Sequence, residues 1–365
     1  MTRQGVFQAA AGLALILVFA AGSASAAGLK IAVVAPTSGP YAALGAQVLA
    51  GAGFQAGERG SEIVSIAETC EPSDGAALAK AVIDSGAEAA IGFLCTESLE
   101  AVLPALAGKP VPVVTLGVRS GILMEDARKK GWPFFRLAPD STAEARKAAE
   151  IILNRWSGEP VAFVEDGTIY GRELVDSVRT SLAESGLTPI FSDTYRPAQE
   201  QQVALVRRLQ KSGATHVFIG GDRQDAAIIA RDAASEGIGL TLLGGEALLA
   251  ADQPVRLRDG VQAIALPEAA TLPAARDTAA AMTQAGLVPD GYVLPAFAAV
   301  TLLEQAKDRA EAAEIALDAA LVDHPYPTAI GEIRFTAGHE LADNPYRLLE
   351  WRNGRFVPPE AGETE

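Results

Sequence analysis

Residues 63–96 are IVSIAETCEPSDGAALAKAVIDSGAEAAIGFLCT, and our fold prediction starts from them. The apolar runs Ile63–Glu68 and Ala89–Phe93 predict two strands, and the alanine-rich stretch Ala76–Ser85 predicts a helix between them. Such a βαβ unit places its two strands side by side in a parallel sheet. The segment therefore indicates an α/β fold.

The only two cysteines, Cys70 and Cys95, follow these two strands. Neighbouring strand ends come within disulfide range. Closing the loop of 25 residues would stabilise the fold by roughly 3 to 4 kcal/mol in the chain-entropy model. Two buried free thiols are the alternative. Thr96 follows at the carboxyl end of the strand, where open α/β sheets bind ligands, and it also suits the start of a helix.

The alternation of β-branched runs and amphipathic segments continues along most of the chain. Further strands are predicted at 30–35, 111–116, 134–137, 161–165, 190–194, 216–219, 241–243 and 261–266, with a last strand near 346–351. Further helices are predicted at 42–58, 98–107, 142–156, 172–184, 203–211 and 225–236. We therefore predict two doubly wound parallel-sheet lobes joined by a hinge, with a ligand cleft between them. Lobe 1 is expected at 27–138 plus 267–343, and lobe 2 at 139–266 plus 344–365.

The first residues predict the compartment. Arg3 precedes the apolar run Ala9–Ala21, and Ala24-Ser25-Ala26 follows, which is the pattern of a cleavable secretory signal over residues 1–26. The run is too short to span a bilayer, and no cysteine stands at the cleavage site to carry a lipid anchor. We expect a periplasmic monomer that is not lipid-anchored.

Charge and motifs exclude several classes of function. The formal net charge is -15, and Lys and Arg are scattered, so we expect no nucleic-acid partner. The sequence has no Gly-x-Ser-x-Gly elbow, phosphate loop, dinucleotide fingerprint or metal-spaced His pair. We expect no enzymatic activity, no cofactor and no metal site.

The loops after the predicted strands carry the candidate site. In lobe 1 they offer Tyr41, Thr96, Gly117 and Arg119, and in lobe 2 they offer Tyr170, Asp222 and Glu246. Arg119 could hold a carboxylate with its planar fork or lie in solvent. The two acids could bind an ammonium or be solvated loop residues. Together these groups suit a zwitterion, with its carboxylate on lobe 1 and its ammonium on lobe 2.

An ordered series of short motifs resembles the periplasmic branched-chain amino-acid (Leu/Ile/Val) binding proteins of ABC transporters, which have the type I periplasmic binding protein fold. The motifs are Lys30-Ile31-Ala32-Val33-Val34, Ser38-Gly39-Pro40, Cys70-Glu71-Pro72, Ile91-Gly92-Phe93-Leu94-Cys95, Tyr170-Gly171, Gly220-Gly221, and Gly244 with Glu246. No single tripeptide is specific, but the order and spacing resemble the family's over most of the mature chain.

The resemblance implies roles for individual residues. Cys70 and Cys95 would form a disulfide, Thr96 would take the family's serine position on the ligand carboxylate, and Gly117 would supply backbone contacts. Glu246 would receive the ammonium, and Tyr170 would line lobe 2.

Two residues depart from the family's pattern. Arg119 stands where the family commonly has a threonine, and Asp222 stands where it commonly has a tyrosine. These departures suit a polar or acidic amino acid, or another small charged solute, better than leucine.

We therefore expect the substrate-binding protein of an ABC importer, which binds a small amino acid-like solute by lobe closure and delivers it to an inner-membrane permease. One alternative is a periplasmic sensing module that reports to a membrane receptor. Another is a receptor for a non-amino-acid solute, such as an amide or a small carboxylate.

Overall fold

The computed structural model describes Met1, residues 28–251 and residues 254–360. The predicted signal segment, apart from Met1, lies outside the described residues, as does the end of the chain from residue 361. In the described part of the chain, no helix is long and apolar enough to cross a membrane.

The first sheet has five parallel strands. These are β1 (Lys30–Pro36), β2 (Glu62–Glu68), β3 (Ala89–Gly92), β4 (Val113–Thr115) and β5 (Phe134–Arg136), in the order β2-β1-β3-β4-β5. The helices that connect them are α1 (Ala42–Arg59), α2 (Gly75–Asp84), α3 (Thr96–Ala105) and α4 (Gly121–Lys130). Helices α2, α3 and α4 cover one face of the sheet, and α1 covers the other. Strands that are buried on both faces explain the nearly continuous apolar runs in the sequence.

The second sheet repeats this plan. Its elements are α5 (Ala143–Trp156), β6 (Val161–Glu165), α6 (Ile169–Glu184), β7 (Phe191–Thr194), α7 (Val203–Ser212), β8 (His216–Gly220), α8 (Arg223–Ser235), β9 (Thr241–Gly244) and β10 (Gln262–Ala265). The five strands are parallel in the order β10-β9-β8-β6-β7, which matches the first sheet strand for strand. Both sheets therefore have a point where the strand order reverses, between β1 and β3 and between β6 and β8.

The chain then returns to the first sheet and afterwards to the second. The remaining elements are α9 (Arg276–Gln284), α10 (Val293–Ala313), α11 (Leu317–Leu321), β11 (Tyr326–Thr328), β12 (Gly331–Ile333), β13 (Arg347–Arg352) and β14 (Arg355–Val357). Helix α10 packs with α1 on the first sheet, where its Leu302 and Leu303 are fully buried. Strand β13 pairs antiparallel with β10 and completes the second core. The predicted α/β architecture of two doubly wound lobes is confirmed.

All ten predicted strands of the two parallel sheets are present, but several helix ends differ. Helix α3 begins at Thr96 rather than at Ser98, and α6 begins at Ile169 rather than at Arg172. In α6 the Thr168 side chain accepts the Gly171 N–H at 3.0 Å and caps the helix, which therefore begins three residues before the predicted start. The short β11–β12 hairpin was not predicted, because its three-residue strands are too short for a periodic pattern.

Candidate ligand-binding cleft

The β1 and β3 loops of the first lobe line a cavity of about 670 Å³. Its walls include Tyr41, Leu94, Thr96 and Tyr292, together with the disulfide. Cys70 and Cys95 are bonded, with their Cα atoms 5.4 Å apart, which confirms the disulfide that the sequence suggested. The cavity lies where the order of the first sheet reverses, which is where open α/β sheets bind ligands. Tyr41 and Thr96 thus lie in one recess.

Glu68 supports this recess from below, and sequence reasoning missed it. The residue is 1% exposed, and its carboxylate accepts the backbone N–H groups of Leu94 at 2.9 Å and Cys95 at 3.2 Å. Burial raises the pKa of Glu68, against the effect of these hydrogen bonds. Glu68 also lies beside both sulfur atoms, but a disulfide offers no thiolate to a metal ion. Glu68 lies at a strand end, two residues before Cys70, and this position was the signal in the sequence that could have identified it.

Gly117 lies in a tightly held loop between the recess and Arg119. The Thr115 hydroxyl donates to the Phe93 carbonyl at 2.8 Å and accepts the Val118 N–H at 3.1 Å. A Cβ at Gly117 would lie 3.0 Å from the Tyr292 hydroxyl oxygen, which leaves little room for any side chain. The glycine therefore keeps the backbone accessible beside Tyr292.

Arg119 and Glu246, predicted on opposite sides of a ligand, contact each other. Arg119 Nη1 lies 3.0 Å from Glu246 Oε2 and 2.7 Å from the Tyr346 hydroxyl, which donates to the same Glu246 oxygen at 2.8 Å. Burial lowers the pKa of Arg119, but the hydrogen bond and charge of Glu246 outweigh it and the net pKa is raised. Arg119 follows β4 of the first sheet and Glu246 follows β9 of the second. The pair therefore joins the two lobes.

Glu144 extends this network, and it too was missed. Its Oε1 accepts the Tyr170 hydroxyl at 2.9 Å and the Glu246 N–H at 2.6 Å. Glu144 is 8% exposed, and burial raises the pKa of its carboxyl group. A Cβ at Gly245 would lie 2.2 Å from that oxygen, so only glycine fits there. The structure thus brings Tyr170 and Glu246 together through an acid on α5.

Asp222 is exposed and also caps a helix. Its carboxylate accepts the Asp225 N–H at 2.8 Å and caps the start of α8, and its side chain is exposed at the end of β8. No hydrogen bond in the described part of the chain links Asp222 to Arg119. Of the seven predicted ligand-binding residues, Arg119, Tyr170 and Glu246 share one network and Tyr41 and Thr96 share one recess.

A larger cavity of about 1020 Å³ lies elsewhere, along β13 and β14. It is lined by Arg155, Leu272, Trp351 and Phe356 among others, and it contains none of the predicted ligand-binding residues. We place the candidate site at the strand ends between the lobes, because Arg119, Glu246 and Tyr346 converge there in one hydrogen-bonded network.

Comparison with known proteins agrees with this class of fold. The profile of the family described as "Periplasmic binding protein" matches residues 28–355. The chain therefore belongs to the periplasmic binding proteins.

One relative is Leu/Ile/Val-binding protein homolog 3 of Brucella melitensis, which is 26% identical over 92% of this chain and 94% of that protein. A substrate-binding protein of an ABC transporter from Desulfitobacterium hafniense, solved with Leu, is similar in structure with a TM-score of 0.65 and 21% identity, covering 91% of this chain and 99% of that one. A solute-binding protein from R. palustris, solved with 4-hydroxybenzoate, has a TM-score of 0.61 and 18% identity, covering 91% and 96%. The shared fold thus serves proteins that hold different small carboxylates.

Proposed function

We propose that this protein is the periplasmic solute receptor of an ABC importer and that it binds a small amino-acid-type solute between its lobes. The observation that carries the proposal is the contact between Arg119 and Glu246 at 3.0 Å across the cleft. A zwitterion has a carboxylate for the guanidinium and an ammonium for the acid. It therefore replaces one internal ion pair with two charge-assisted pairs of its own.

The other predicted residues complete the site in this proposal. Thr96 and the Gly117 backbone would contact the carboxylate, and Tyr41 and Tyr170 would be walls around the side chain. Lobes at 27–138 plus 267–343 and at 139–266 plus 344–365 would close by a hinge and exclude water. The closed receptor would then deliver its solute to an inner-membrane permease, without any covalent step.

The compartment is part of the same proposal. Residues 1–26 have the sequence pattern of a secretory signal, and the family to which the chain belongs is periplasmic by description. We propose that the mature chain acts as a monomer in the periplasm.

A small carboxylate without an amino group is a second candidate solute. Arg119 offers a guanidinium inside the cleft, and the similar R. palustris protein was solved with 4-hydroxybenzoate. Such a ligand would pair with Arg119 and leave Glu246 to Tyr346.

A thermal-shift screen of refolded, ligand-free protein against amino acids, amides and small carboxylates tests the proposal. A solute that binds the native state raises the melting temperature by mass action. We expect a shift with one class of amino acid. A shift with carboxylates alone would favour the second candidate, and no shift with either class would contradict the proposed function.

A further inference from the structure

Acidic side chains gather where the strand order of the second sheet reverses. Asp166 follows β6, Asp222 follows β8, and Asp225 lies in the first turn of α8; we call these three residues the acidic rim. The Asp166 N–H donates to the Gly220 carbonyl at 2.9 Å, which joins the two strand ends. Asp166 is 7% and Asp225 0% exposed, whereas Asp222 is open to solvent. The rim therefore occupies the position where open α/β sheets bind ligands.

A buried hydroxyl group points to a polar occupant at this rim. Tyr195 is 3% exposed, and its hydroxyl has no hydrogen-bond partner in the described part of the chain. The hydroxyl lies against the backbone of Gly221, where a Cβ would be 2.0 Å from it. Burial and the charges of Asp225, Asp166 and Asp222 raise the pKa of Tyr195. A buried hydroxyl without a partner is costly, so the rim is built around an unsatisfied polar group.

The contacts of the rim acids are with N–H and hydroxyl groups of the chain. Asp166 accepts from the Thr168 N–H at 2.9 Å, and Asp225 accepts from the Ala198 N–H at 3.0 Å. Arg172 lies nearby, where it donates to the Gly167 carbonyl, and Glu165 adds another negative charge. Because Arg119 is already paired with Glu246, its charge does not offset that of the rim. Arg223 follows Asp222 in the chain, but its guanidinium donates to the Leu248 carbonyl at 2.7 Å and lies over the Trp351 ring. The charges that act on Tyr195 at the rim are those of acids, so the rim favours a cation.

The distance from Glu246 to the rim suits the length of an amino-acid side chain. Strands β9, β8 and β6 are neighbours, and adjacent strands lie about 4.8 Å apart. Glu246 follows β9, Asp222 follows the neighbouring strand β8, and Asp166 follows β6, two strands from β9. That separation is roughly 5 to 10 Å, which is the range of an extended side chain with a charged end.

We propose that the solute is a basic amino acid whose side-chain ammonium or guanidinium binds at the acidic rim, in contact with Asp222. The buried carboxylates of Asp166 and Asp225 attract the same charge without contacting it. The inference rests on the proposed function, because it assumes that the α-carboxylate and α-ammonium lie at Arg119 and Glu246. It differs from the sequence-based expectation of a polar or acidic amino acid, which rested on Arg119 and Asp222 as departures from the family's pattern.

Isothermal titration of ligand-free protein with two matched pairs of solutes tests the inference. L-arginine and L-citrulline have similar shapes, but only arginine is charged at its end, and L-lysine differs from L-norleucine by its ε-ammonium. We expect wild-type protein to bind each basic solute at least about tenfold more tightly than its neutral counterpart, the ratio that one well-placed ion pair of about 1.4 kcal/mol produces.

Asp222→Asn locates the effect. Asparagine caps helices as well as aspartate does, so the variant keeps the start of α8 and loses only the charge. We expect the preference for arginine over citrulline to fall to about threefold or less, because arginine binding weakens more than citrulline binding. Glu173→Gln removes an exposed acid of α6 in the same lobe and should leave the preference as it is.

The outcomes separate the two proposals. Neutral amino acids that bind as tightly as basic ones would overturn the basic-solute inference and leave the receptor function standing. A basic preference that survives in Asp222→Asn would overturn the assignment to the rim. Absence of binding by every amino acid and small carboxylate would remove the proposed function itself.

Discussion

Removal of the Cys70–Cys95 disulfide should destabilise the protein strongly while changing its site little. The perturbation is the double variant Cys70→Ala with Cys95→Ala. The bond closes a loop of 25 residues, for which the chain-entropy relation predicts a loss of about 3 to 4 kcal/mol in the free energy of unfolding. The Cα separation of 5.4 Å lies in the usual range for disulfides, so the bond forms without a backbone shift.

The candidate site should keep its geometry because a second set of contacts holds the loop at Leu94 and Cys95. The Glu68 carboxylate accepts the Leu94 and Cys95 N–H groups, and these hydrogen bonds involve no sulfur atom. Since the disulfide acts mainly on the unfolded chain, solute affinity should change by less than about threefold.

Urea unfolding followed by tryptophan fluorescence measures the stability, and isothermal titration measures the affinity. Wild-type protein treated with dithiothreitol is the control and should match the double variant. A loss below about 1 kcal/mol would refute the chain-entropy reasoning for this loop. An affinity that falls in step with stability would show instead that the disulfide, and not Glu68, positions Thr96.

Three further predictions concern the second lobe. Gly245→Ala places a Cβ 2.2 Å from Glu144 Oε1 and should lower the free energy of unfolding by about 1 to 3 kcal/mol. The control Gly57→Ala lies in open space on α1 and should raise the free energy of unfolding by roughly 0.5 to 1 kcal/mol. Equal effects of the two variants in urea unfolding would contradict the steric role of Gly245. Burial and the charge of Asp222 raise the pKa of Asp225 to about 6, so the Asp225 carboxyl binds a proton more tightly in the folded state than in the unfolded state. The stabilisation that this proton provides is complete below about pH 4 and is lost as the pH rises through 6. Asp225→Asn should therefore stabilise the protein more at pH 8 than at pH 4.5, and a pH-independent difference in melting temperature would count against that pKa. Glu246→Ala leaves a bound ammonium without its carboxylate partner, whereas Arg119 keeps the carboxylate of the solute. The variant should therefore weaken binding of an amino-acid solute by about 2 to 5 kcal/mol in isothermal titration; unchanged affinity would remove Glu246 from the candidate site.

The fold was predictable because its signals are local and repeated. The inner strands of the two parallel sheets are short apolar runs, as in β1 and β3, since strands covered on both faces need no alternation. The edge strand β7, with the sequence FSDT, is more polar and partly exposed. Element ends were less predictable because they depend on individual hydrogen bonds. The Thr168 cap, for example, starts α6 three residues before the sequence pattern suggested.

The site was predictable only in part. Strand ends placed Thr96, Arg119 and Glu246 among the candidate residues, because loops at the carboxyl ends of parallel strands share one edge of a sheet. Glu144 and Tyr346 were missed: one lies at the start of a helix and the other just before the returning strand β13, far along the chain from Glu246. A pattern in the sequence carries no record of such long-range contacts.

The sequence by itself determined which residues form buried strands and amphipathic helices, and therefore the class of fold, since burial of apolar side chains follows local periodicity. Only the tertiary structure decided how the charges pair. Arg119 became the partner of Glu246, and Asp166, Asp222 and Asp225 came together at one rim. Charge pairing depends on distances of a few ångströms between residues separated by up to a hundred or more positions, and packing of the two lobes alone sets those distances.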